Sequence, residues 1–241
     1  MILTIKAKWF NINGEANCLL NVNENLKAVL DEIERHKVCE RVTLVAVTKN
    51  HGVDLMKTAL DCGVTDIGEN RVQEAAEKFQ SLDRAVTRHL IGHLQTNKVK
   101  AAVKLFDVIH SVDSVHLASA LDKAAGALGK VQDVLIQVNA AREPQKSGVL
   151  LEDLDALINF VDAAKNLRLR GLMMIAPNFP DAEDCRPLFR KMRALFDELR
   201  TSRENFDLLS MGMTHDYKVA VAEGANVVRV GTAIFGERLY T

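Results

Sequence analysis

Eight short apolar runs, each followed by a longer stretch of helical periodicity, constrain this chain more than any single residue does. They are VTLVAVTK from Val42, VTDIGEN from Val64, TRHLIGH from Thr87, DVIHSVD from Asp107, DVLIQVN from Asp133, LRGLMMI from Leu169, FDLLSMG from Phe206 and NVVRVG from Asn226. Runs this continuously apolar belong to strands covered on both faces, as in a parallel sheet dressed with helices. The clearest intervening helix carries Leu188, Met192, Leu195, Phe196 and Leu199 at helix-face spacing behind Asp181, a residue suited to an N-cap. A further amphipathic helix, with Val22, Leu26, Val29, Leu30 and Ile33 on its apolar face, precedes the first strand. Eight such units in 241 residues predict an α/β fold of the (β/α)8 TIM-barrel type, usually about 250 residues long, with an extra N-terminal helix. An open doubly wound sheet competes, but it usually carries a glycine-rich turn after its first strand. Here that strand runs into Thr48, Lys49 and Asn50.

No linker, low-complexity run or charge block interrupts the pattern, so residues 1–241 are expected to form one domain, with 1–16 an extension of unassigned role. Lys and Arg number 31 against 32 Asp and Glu, a balance that provides no global field for nucleic acid or anionic lipid. Lys6 and Lys8 interrupt the N-terminus before an apolar leader can form, and no apolar stretch is long enough to span a bilayer. Cys18, Cys39, Cys62 and Cys185 form no CxxC pair, which fits reduced thiols in the cytoplasm rather than a disulfide framework. The seven histidines make no HExxH pair, so no metal is expected. GALGKV lacks the first glycine and the hydroxyl of a phosphate loop, and LLSMG lacks the first glycine of a nucleophile elbow. Lys98, Lys100 and Lys104 read as a solvated helix face.

In a barrel the chemistry lies where the strands end. Those ends hold Lys49, then Glu69 and Asn70, His93, His110 with Ser111, Asn139, Ile175 with Ala176, Ser210 to Met213, and Arg229 to Thr232. A lysine there, its amine desolvated at the mouth, can form a Schiff base with a carbonyl; alternatively it snorkels to solvent. LSMGMT and RVGT each set a hydroxyl beside a glycine at the corner where barrels commonly bind phosphate, with Ser210, Gly212, Gly231 and Thr232 as the candidates. The same glycines also serve simply to turn strand into helix. An aldehyde-accepting lysine and a phosphate cup in one mouth point to pyridoxal 5′-phosphate. Arg229 shares strand parity with Gly231, and a guanidinium beside the pyridine nitrogen opposes its protonation.

The segments AVTKN, IGENRVQE, HLIGHLQTNK, HSVD, VLIQVN, KSGV, RGLMMI, LSMGMTHD and VRVGTAIFGER resemble, in order from about Val42 to the C-terminus, the pyridoxal phosphate homeostasis protein family, a group of alanine-racemase-like single barrels. The resemblance implies Lys49 as Schiff-base lysine, Asn70 in the GEN segment, Ser210, Gly231 and Thr232 as phosphate contacts, and Arg229 near the pyridine nitrogen. It also implies a protein that binds the cofactor and influences its supply and amino-acid balance without established turnover; with the cytoplasmic reading above, a carrier that releases the cofactor to an apo-enzyme or an amine is expected, as a monomer or a weak homodimer. The chain departs from the family at Asn50, His51 and Gly52, where a Lys-Pro pair is common, and at MGMT, where Thr214 replaces a serine.

Two enzymes remain as alternatives. A racemase needs a second base, and the tyrosines available are Tyr217 and Tyr240. A cofactor-free Schiff-base aldolase would draw on Glu69, His93 or His110. Met211 and Met213 read as packing residues that the resemblance places near the cofactor ring, and His93 and Gln95, after the third strand, are further candidates for lining the pocket.

Overall fold

The computed structural model describes residues 14–236, with side chains from Val22 onward. Strands β1 (Thr43–Val47), β2 (Asp66–Glu69), β3 (Thr87–Leu90), β4 (Val108–Val112), β5 (Gln132–Gln137), β6 (Leu167–Met173), β7 (Leu208–Met213) and β8 (Val227–Val230) follow one another round a closed barrel. Every neighbouring pair is parallel, and β8 pairs back to β1, with Val45 opposite Arg229. The predicted barrel is therefore the observed one, and each predicted run overlaps its strand; β5 and β6 begin one and two residues before their runs and β7 ends one residue after its run. Helices α1 (Gly14–His36), α2 (Val53–Asp61), α3 (Val72–Phe79), α4 (Val99–Leu105), α5 (Val115–Gly126), α6 (Leu154–Ala163), α7 (Arg186–Arg200), α8 (Tyr217–Ala222) and α9 (Thr232–Phe235) enclose it.

Alternation along the strands separates two interiors. Outward residues such as Ala46, Ile67, Leu90, Ile109, Ile136, Leu172, Leu209 and Val228 join the helices in one large apolar cluster. Inward residues stack in layers, because the pairing register advances by about one residue per strand around the closed sheet. Following the observed registers, Asp66, Val108, Gly171 and Val227 form the floor, and Val45, His89, Leu135 and Ser210 lie above them. Gly68, His110, Met173 and Arg229 make the next layer towards the mouth. Val108, Leu135 and Met173 keep one side of this inner core apolar. A side chain at Gly68 would come within 2.8 Å of Val45 Cγ1, so the inner space there is already full.

α1 fastens the seam where the first and last strands meet. It packs on α2, α8 and α9, with Asn25 donating to the Ile234 carbonyl at 3.0 Å and Glu32 paired to Lys218 at 2.8 Å. Its buried stripe is Val22, Leu26, Val29 and Ile33; Leu30, expected on that stripe, is 45% exposed, because the other four already fill the face towards the barrel. Asp181 does cap, but it caps a short 3-10 turn, Ala182–Cys185, accepting from the Glu183 N–H at 2.9 Å ahead of α7. Cys39, Cys62 and Cys185 are free thiols, and Cys18 and most of the 1–16 extension lie outside the described side chains.

Leu26→Ala should lower unfolding stability by about 2–5 kcal/mol, whereas Leu30→Ala should change it by less than about 0.5 kcal/mol. Denaturant titration of the two variants reads the difference.

Candidate cofactor site

At the C-terminal ends of the strands a cavity of about 280 Å3 is lined by Val47, Lys49, His51, Asn70, Ile91, Ile175, Met213, Thr214, His215, Arg229, Gly231 and Thr232. Of the residues expected from the sequence, Lys49, Asn70, Arg229, Gly231 and Thr232 come together here. A larger hollow of about 560 Å3 lies at the other end of the barrel, bordered by Arg41, Asp66, Asp207 and Asn226. It sits at strand starts rather than strand ends and gathers no amine.

Lys49 occupies the turn directly after β1, half-buried. Its two neighbours are clamped. The Thr48 carbonyl accepts from Lys78 Nζ at 2.7 Å, and the Thr48 hydroxyl donates to Glu69 Oε1 at 2.6 Å. On the other side the Asn50 N–H donates to Glu74 Oε1 at 2.5 Å. Lys78 ties both carboxylates together, 2.9 Å from Glu69 and 2.5 Å from Glu74. Asn50 has φ of 60°, a left-handed conformation that asparagine tolerates better than most residues. Glu69, a strand-end carboxyl that reads in sequence as an acid/base candidate, is thus a buried anchor of the lysine turn, and burial pushes its carboxyl above the ordinary glutamate range against the pull of Thr48 and Lys78.

Arg229 projects from β8 into the barrel and is 3% exposed. Its Nη1 donates to Ser210 Oγ at 2.6 Å and its Nη2 to the Met174 carbonyl at 2.8 Å. Burial pushes the guanidinium down to about 10, opposed by the Asp216 charge, so it remains a cation at neutral pH.

Ser210 and Gly212 do not line the cavity. A bulge in β7 explains this: Ser210 pairs with Val227 but Met213 pairs with Arg229, three residues against two. The extra residue shifts parity, so Met213 rather than Gly212 faces inward. Ser210 is left fully buried beneath the mouth, and Gly212, at φ of 94°, packs on α8, where a Cβ would lie 2.6 Å from that of Ala220. The bulge delivers Thr214 instead, whose hydroxyl accepts a long contact from the Gly231 N–H at 3.4 Å. Asp216 holds the loop by accepting from the Met213 N–H at 2.6 Å. Thr214, Met213, His51 and His215 are cavity residues that strand parity could not supply; the hydroxyl of MGMT was the available signal.

The remaining candidates lie elsewhere. His93 is off the cavity, 3.5 Å from Asp113 and 3.2 Å from Ser147 Oγ. His110 is wholly enclosed, and burial holds its imidazole well below the usual 6.5. Tyr217 is 5% exposed at the start of α8, with burial raising its phenol, while Tyr240 lies outside the described residues. Among the described residues no cluster of three or more His, Cys, Asp or Glu is placed to hold a metal ion, and no helix is long and apolar enough to cross a membrane.

The unfolded chain takes up a proton on the His110 imidazole near pH 6.5, whereas the native state resists it, so acid favours unfolding. Stability should fall below that pH by up to about 1.4 kcal/mol per unit from this group, and His110→Gln should flatten the slope in denaturation series taken across pH.

Residues 21–239 match the family model described as alanine racemase, N-terminal domain. The pyridoxal phosphate homeostasis protein of Aquifex aeolicus is 42% identical over 230 residues, 92% of this chain and 100% of the relative. Its counterpart in Escherichia coli is 37% identical over 236 residues, 95% of this chain and 99% of the relative. The structure of PipY from Synechococcus elongatus with PLP bound superposes with a TM-score of 0.80 at 39% identity, over 89% of this chain and 100% of that one. On this evidence the chain belongs to the alanine racemase N-terminal-domain family and, within it, to the pyridoxal phosphate homeostasis proteins.

Proposed function

We propose that the protein holds pyridoxal 5′-phosphate in the mouth cavity, on Lys49, and serves homeostasis of that cofactor inside the cell. The observation that carries the reading is a single cavity bordered by an amine, Lys49, a buried cation, Arg229, and two hydroxyls, Thr214 and Thr232. When bound, the cofactor supplies an aldehyde that condenses reversibly with an amine and a phosphate that anchors it. The residues present fit such a group. Asn70 Oδ1 is buried at the cavity with no hydrogen-bond partner, an acceptor that a ligand donor would satisfy. Gly231 leaves open the space beside Val47, whose carbonyl would lie 3.1 Å from a Cβ there. The relatives' names and the PipY structure with PLP bound support the same assignment.

Each residue has a task in this arrangement. Lys49, its turn pinned on both sides by Glu69, Lys78 and Glu74, presents its amine without needing the chain to reorganise. Thr214 and Thr232 bind the phosphate, and Gly231 lets it approach the wall. Ser210 and Gly212 act one step back, Ser210 by holding Arg229 and Gly212 by seating α8. Arg229 keeps the ring nitrogen unprotonated, because a fixed positive charge beside it repels a proton. A ring so held is a weak electron sink, which favours storage and release over turnover. Tyr217, the described tyrosine nearest the phosphate loop in sequence, is absent from the cavity lining, so it is no second base for racemisation. The carrier acts in the cytosol, as a monomer or weak dimer, with apo-enzymes receiving the cofactor.

Added pyridoxal phosphate should give a yellow protein whose band borohydride removes while fixing the cofactor to Lys49. Lys49→Ala should show no such band, and its absence from the wild type would overturn the reading. Thr214→Val and Thr232→Val should each weaken uptake about tenfold, the loss of one hydrogen bond to a charged group.

A further inference from the structure

The barrel interior holds a continuous line of polar contacts that the cofactor site itself does not require. Asp66 Oδ1 lies 2.8 Å from His89 Nε2, and His89 Nδ1 lies 2.9 Å from His110 Nε2. His110 Nδ1 is 3.1 Å from Ser210 Oγ, which accepts from Arg229 Nη1 at 2.6 Å. His89, His110 and Ser210 are 3%, 0% and 0% exposed. One end, Asp66, borders the hollow at the floor; the other, Arg229, borders the mouth cavity.

With one proton on each imidazole, the chemistry of the two ends fixes the direction of every bond between them. A guanidinium only donates and a carboxylate only accepts. Arg229 therefore donates to Ser210, the Ser210 hydroxyl donates to His110 Nδ1, His110 Nε2–H to His89 Nδ1, and His89 Nε2–H to Asp66. Each imidazole carries one proton, on Nε2, and each polar atom on the line has its partner. A second proton on His89 would reverse the His89–His110 and His110–Ser210 bonds and leave the Ser210 hydroxyl facing two donors, with its own proton lacking an acceptor on the line. Burial disfavours a charge on His110 in the same sense, while the Asp66 carboxyl is held below its ordinary range, burial opposing this and the His89 and Thr65 hydrogen bonds prevailing.

We propose that Asp66, His89, His110 and Ser210 are positioning residues forming a one-way hydrogen-bond relay through the barrel, which fixes the Arg229 guanidinium against the ring nitrogen of the bound cofactor and ties its setting to the floor of the barrel. The inference rests on the cofactor reading given above. The charged groups around the relay are Asp216 near Arg229 at the mouth, and Arg41, Asp207 and the Asp133 carboxylate held by Arg168 and Arg170 at the floor. The hydrogen bonds from His89 and Thr65 hold Asp66 towards its ionised form, the state the relay needs.

The relay can be read without cofactor. Nitrogen-15 spectra of the unliganded protein should show His110 as the neutral Nε2–H tautomer between about pH 5 and 8, where an ordinary imidazole titrates, with that N–H bonded to His89 Nδ1 as acceptor. His110 found as the Nδ1–H tautomer, or titrating like a free histidine, overturns the relay. Its reach to the cofactor is read with Asp66→Ala, which alters only the floor end of the line and leaves the mouth untouched. The pH midpoint of the bound cofactor's absorption band should move by about one unit relative to wild type, the size of shift a nearby charge produces. An unmoved midpoint in Asp66→Ala, with His110→Phe also unmoved if folded, overturns the coupling. Wild-type protein that takes up no cofactor overturns the cofactor reading instead, and the imidazole spectra still decide whether the line exists.

Discussion

A guanidinium sealed inside a barrel has to be matched by acceptors from other strands, and Arg229 sets that requirement for this molecule. Leaving such a charge unpaired would cost several kcal/mol, of the order seen when one partner of a buried pair is removed. The match comes from β7 through Ser210 and from the end of β6 through the Met174 carbonyl. Ser210 in turn needs His110, and His110 needs His89, so one cation organises polar groups on strands three, four, seven and eight. Where comparable barrels fill every layer with branched apolar side chains, this one gives five of the twelve inward positions named above to that line and keeps Val108, Leu135 and Met173 opposite it.

The amine and the cation reach the same cavity by different means. Arg229 is rigid because it is buried and bonded within the sheet. Lys49 lies beyond the sheet, in a turn, and gains its order from the Lys78, Glu69 and Glu74 cluster behind it. Both belong to the seam between β1 and β8, and α1 straps the outside of that seam. An N-terminal helix none of whose described side chains lines the cavity therefore still bears on the geometry of the site.

The fold was largely legible because its signals are local: eight apolar runs with helical spacing between them are properties of short windows, and the strands fall on those runs to within two residues. The site was legible where parity holds. Lys49, Asn70, Arg229, Gly231 and Thr232 follow from reading the last residues of strands that run straight. It failed at β7, where Ser210 and Gly212 were expected at the mouth, because a bulge adds one residue that no local pattern announces and hands the position to Met213 and Thr214. The meeting of His89 with His110 was equally hidden. Their approach depends on the one-residue stagger between strands, a property of the closed barrel as a whole.

The pairing of the first strand with the last also has a consequence in time. A chain emerging in order from the ribosome exposes the free edge of β1 until Val227–Val230, the last strand of the barrel, arrives. Arg229, Gly231 and Thr232 of the cavity wall come with that final strand and the residues just after it. No shorter nascent chain possesses the pocket, so capture of a ligand there distinguishes a completed barrel from every partial one.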